Sequence, residues 1–133
     1  MSKMPMISLA ALAVGLAVCF AAPAKAADAQ KEIATAAAHA GMAAASTDAK
    51  MVTTHLKHVV NCLVGPGASD YDATQADPCK GMGTGAIPDA SPEKQMALEA
   101  ALHMAKDGVK EMDMAKAKET AASTQASLGK LAM

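Results

Sequence analysis

Aromatic side chains are almost missing from this chain: 133 residues hold one tyrosine, one phenylalanine and no tryptophan. A platform of rings for stacking nucleic-acid bases is therefore excluded. The aromatic walls usual around haem or flavin are lacking too. No Cys-x-x-Cys-His run occurs, so no c-type haem is attached. Arginine is absent, and 12 lysines are outnumbered by 13 acidic residues. Nothing in that charge balance attracts nucleic acid. Signs of catalysis are lacking as well: there is no nucleophile elbow and no visible Ser/His/Asp or Cys/His arrangement. The carboxylates read as solvated helix faces paired with lysine, and no enzyme is expected.

What the chain does have begins with a leader. Lys3 supplies a positive start, Ile7 to Ala22 is an uncharged apolar run, and Ala24-Lys25-Ala26 is a small-x-small cleavage pattern. The reading is a secretory signal peptide over 1–26, a mature chain from Ala27, and a periplasmic location with no membrane attachment after cleavage. The apolar run is short for a span of about 20 residues. Leu16-Ala17-Val18-Cys19 resembles a lipobox, but Val18 stands where a small residue belongs. With Phe20 removed, Tyr71 is the one aromatic left.

Residues 27–133 suffice for one small domain, with a core of Ala, Leu, Val, Ile and Met. Such a composition favours helix, and the fold class is all-α: a four-helix bundle made of two helical hairpins. The first hairpin spans 29–63 and turns at Ser46-Thr47-Asp48, where capping residues cluster. The second spans 91–131, with Ser91 as N-cap, Pro92 at the first helical position and a turn at Glu111-Met112-Asp113. Shifted by 65 residues, Asp48 falls on Asp113, Val52 on Ala117, Leu56 on Ala121 and Leu63 on Leu128. The blocks read as copies of one unit. The methionines Met96, Met104, Met112 and Met114 read as core filler.

The centre, 64–90, is rich in glycine and proline and reads as a loop. Gly81-Met82-Gly83-Thr84-Gly85 resembles a phosphate loop only superficially, since no Lys-Ser or Lys-Thr follows and no strand precedes. A loop this long needs restraint or function. In an oxidising compartment Cys62 and Cys79 are expected to pair. Closing that loop stabilises by roughly 3 kcal/mol.

Four histidines, His39, His55, His58 and His103, and 11 methionines raise the question of metal. Imidazole suits copper, zinc and nickel; thioether favours Cu(I). One flank of the second helix reads Met51, His55, His58, Cys62, beside the apolar stripe Val52, Leu56, Val59, Leu63. His39 and His55 are each eight residues from Thr47, so an antiparallel hairpin sets them at one level. Helices packed through alanine lie about 8 Å apart, close enough for imidazoles from both to share a metal at about 2.0 Å. The candidate metal ligands are His39, His55 and His58, with Met51 as a further donor. His103 points roughly 130° from its helix's apolar stripe and is expected to be exposed.

The His39–Leu63 segment, with its His55-Leu-Lys-His58 run, resembles the small periplasmic metal-binding proteins built from His-bearing helical hairpins. That resemblance covers the helical blocks and implies a four-helix bundle that takes up copper and other divalent metals. This chain has far fewer histidines and inserts the Cys62–Pro88 loop, so one or two sites are the most it offers. The run His58-Val-Val-Asn-Cys-Leu-Val-Gly-Pro66 is similar to a segment of uncharacterised exported bacterial proteins. The function expected is copper handling or buffering. The competing expectation is a metal-free periplasmic interaction or stress protein using the 64–90 loop as contact surface.

Overall fold

The computed structural model describes residues 27–133; the leader expected over 1–26, with its cleavage site and Cys19, lies outside the described residues. The described residues form five helices and no strand: α1 (Ala29–Ala45), α2 (Ala49–Val64), α3 (Ala86–Asp89), α4 (Pro92–Lys110) and α5 (Met114–Leu131). None is long and apolar enough to cross a membrane.

The ends of the long helices follow from local chemistry. Asp28, Asp48 and Asp113 each accept a hydrogen bond from the amide three residues on, at 3.0, 2.9 and 3.1 Å. Each thereby satisfies a donor the helix leaves open. Ser91 stands at the N-cap of α4, but its side chain closes no such bond; Pro92, preset for the first turn, starts that helix. Glu111–Asp113 is the turn between α4 and α5.

α1 packs against α2 and α5, and α4 packs against α5 and α2. Lys94 reaches both Gln30 (3.2 Å) and the Leu131 carbonyl (3.0 Å). The starts of α1 and α4 therefore meet the end of α5 at one end of the molecule. The two short turns, at 46–48 and 111–113, lie at the other. The buried core runs between the helices: Ile33, Leu56, Leu63, Leu98 and Leu128 are its largest apolar side chains, spaced by alanine. Six pairs of residues 65 apart are buried together, namely Ile33 with Leu98, Ala36 with Ala101, Ala40 with Ala105, Ala43 with Gly108, Leu56 with Ala121 and Leu63 with Leu128.

No described methionine is part of the buried core. Met104 is half-buried against it, but Met96, Met112 and Met114 are exposed, which corrects their reading as filler. Helices spaced by alanine approach too closely to seat an unbranched side chain of that length between them. Methionine is left on the outer faces.

The 65–90 segment is tied down along its length. Cys62 and Cys79 form a disulfide with a Cα–Cα distance of 5.2 Å. Buried Asn61 donates to the carbonyls of Asp72 (3.0 Å) and Ala76 (3.2 Å) and accepts from the Asp72 amide (2.8 Å). Lys57–Asp72 and Lys106–Asp70 add ion pairs at 3.1 and 2.7 Å. Gly65, at φ +72°, lies so close to the Thr84 carbonyl that any side chain would collide with it. Within this segment α3 adds one short helical turn.

Candidate metal centre

The α1–α2 turn sets the histidines opposite one another. With α1 ending at Ala45 and α2 starting at Ala49, His39 and His55 meet, their Nδ1 atoms 3.3 Å apart. His58, one turn along α2 from His55, closes the group. Ring centroids are 5.5 Å (His39–His55), 5.1 Å (His39–His58) and 5.7 Å (His55–His58) apart. Each of the three rings offers a nitrogen, and these atoms lie within 4.8 Å of one another. Two ligands of a tetrahedral metal at about 2.0 Å are themselves about 3.3 Å apart. The His39–His55 contact has that spacing.

The electrostatics suit ligation. Burial, then the neighbouring His58 and His55, pushes His39 from 6.5 down to about 4. His58 is lowered by burial and then by His55. Both rings are thus neutral at pH 7, the form that binds metal. The Nδ1 of His58 is buried with no hydrogen-bond partner. An orphaned ring nitrogen of that kind is destabilising unless something fills its valence. A metal held by the three imidazoles would take one nitrogen from each ring and leave a fourth position open.

Met51, the further donor expected from sequence, is exposed and lies one helical turn before His55. Cys62 lies one turn beyond His58 but is bound to Cys79. Asp77 stands beside that disulfide, and its carboxylate accepts from the Cys79 amide at 2.9 Å. His103 is exposed on α4, away from the trio, lining an open groove with Val64, Ala68 and Ile87.

One polar cluster corrects the view that the acids are solvated helix faces. Glu32 of α1 is only 1% exposed. Its Oε1 accepts from the Gly85 amide at 3.2 Å, while its Oε2 is buried. Burial first, and then the negative charge of Asp89, raises its pKa from 4.5 to about 7. Asp89 is opposed by burial but held low by the Thr84 hydroxyl and amide, both of which donate to it. A protonated Glu32 beside an ionised Asp89 is the stable pairing. The sequence carried a faint signal for this: Glu32 falls four residues before Ala36 and eight before Ala40, on the line that α1 buries.

No family model, no curated protein and no solved structure matches this chain.

Proposed function

We propose that this is an exported, periplasmic metal-binding protein whose two helical hairpins form a four-helix bundle, and that the first hairpin takes one transition-metal ion, most plausibly copper, through His39, His55 and His58. Its role is handling or buffering of the ion, with no bond-making chemistry of its own. The observation that carries the reading is the 3.3 Å Nδ1 contact between His39 and His55, with the unpartnered Nδ1 of His58 beside it. Three half-buried imidazoles from two rigid helices lose little entropy on ligation. The same three nitrogens suit copper, zinc or nickel; copper is favoured by the exposed methionines nearby. The test is titration of the mature protein with copper and zinc, followed by elemental analysis. One ion per chain is expected, and H39A/H55A should lose it.

One observation favours the second reading, a metal-free interaction module. The loop and α4 form an open groove of about 440 Å³ lined by Val64, Ala68, Ile87, Pro88 and Leu102, a mostly apolar surface for a protein partner. It becomes the leading account if the titration finds no ion.

A further inference from the structure

Two exposed methionines flank the histidines on the side of the α1–α2 turn. Met42 follows His39 by three residues on α1, and Met51 precedes His55 by four on α2. Contact between the His39 and His55 rings fixes the level of the two antiparallel helices. A helix rises 1.5 Å per residue, so Met42 lies about 4.5 Å above His39 and Met51 about 6 Å above His55, both toward the turn. The two thioether residues therefore share one level to within about 1.5 Å. Each is rotated from its histidine by roughly 40 to 60°, and in both helices the rotation is away from the core. Both residues are exposed, Met42 by 41% and Met51 by 42%. Neither is needed to fill the interior, which has no methionine among its buried residues.

Resting on the metal-binding reading, we propose that Met42 and Met51 form a cuprous-ion site at the mouth of the histidine trio. Thioether sulfur is a soft donor that selects Cu(I), whereas imidazole also accepts Cu(II) and Zn(II). The paired helices then present two donor sets in line: two sulfurs near the turn and three histidines about one to two helical turns deeper. Cu(I) enters at the sulfurs, with His39 or His55 able to complete its coordination. Zn(II) and Cu(II) use the nitrogens alone. The division makes the protein a receiver of reduced copper in particular.

The test is anaerobic Cu(I) titration against a chromophoric chelator, alongside Zn(II) titration. The variants are M42L/M51L, H39A/H55A and, as a control on another helix, M96L at the exposed Met96. M42L/M51L should weaken Cu(I) binding at least tenfold and leave Zn(II) affinity within twofold of the parent. M96L should change neither. The Cu(I)-loaded parent should show sulfur scattering in its X-ray absorption spectrum, and the double leucine variant should not. Leucine is exposed and helix-compatible at both positions, and unchanged circular dichroism checks the fold. If M42L/M51L binds Cu(I) as tightly as the parent while H39A/H55A loses Zn(II), the sulfur site is overturned and the histidine site stands. If the parent binds no Zn(II) or Cu(II) but takes Cu(I) in a methionine-dependent way, the histidine reading fails and the sulfur site survives.

Discussion

Asn61 uses its amide fully. It donates twice and accepts once, and all three partners are backbone groups of the loop. Asn61→Ala would remove all three bonds, each worth roughly 0.5–1.5 kcal/mol net. A loss of about 3 kcal/mol is expected in urea denaturation; a loss under 1 kcal/mol would mean the loop is held elsewhere. The histidines are legible in the sequence for a different reason. Counting outward from Thr47 predicts that His39 and His55 meet, because a short turn between two helices fixes their level. The side-chain bonds of Asn61 carry no such periodic signal: their partners lie 11 and 15 residues away in a segment without regular structure. Glu32 was missed because one carboxylate in a first helical turn looks like a dipole-favoured surface residue, and its burial depends on where Gly83–Gly85 comes to rest.

At the scale of elements, the loop is tied to α2 by the disulfide and to α1 by Glu32. Replacing both Cys62 and Cys79 by alanine should cost roughly 2–4 kcal/mol, read as a lowered melting temperature that reductant no longer affects. The Glu32 tie depends on pH with a definite sign. Its folded pKa, about 7, lies above the unfolded 4.5. Its contribution is therefore fully present below 4.5 and is lost as pH rises to about 7. At 1.36 kcal/mol per unit the loss is up to about 3 kcal/mol. Asp89 works the other way, since its lowered pKa adds stability that fades only as pH falls below 3.8. Glu32→Gln keeps the acceptor for Gly85 and cannot ionise, so it should raise the melting temperature by several degrees at pH 8 and change it little at pH 5. A shift of equal size at both pH values would contradict the pairing. The helix boundaries were legible because aspartate caps and Pro92 announce them locally. The short α3 was not: its four residues hold no periodicity, and Gly85 and the loop's ties set its place.

Over the whole molecule, the 65-residue repeat accounts for more than the sequence pattern alone suggested. It matches alanine with alanine, a weak signal by itself, yet the core pairs from Ile33 and Leu98 to Leu63 and Leu128 are buried alike, while Val60 and Asn61 are buried where Gln125 and Ala126 are exposed. The three clustered histidines break this symmetry. The counterparts of His39, His55 and His58 are Met104, Thr120 and Ser123, so α4 and α5 pack without imidazoles at those positions. The account therefore predicts one histidine site, between α1 and α2, and binding by the folded chain alone. Copper at a hundredfold excess over Kd should then stabilise the fold by about 2.7 kcal/mol, worth roughly 10 °C or more in a domain of this size. The direct measurement is the melting temperature of residues 27–133 at pH 7.5, with and without copper, for the parent, H55A and H103A. The account predicts the rise in the parent and in H103A and its loss in H55A. Equal melting temperatures with and without copper in the parent, or a rise that survives in H55A, would contradict it.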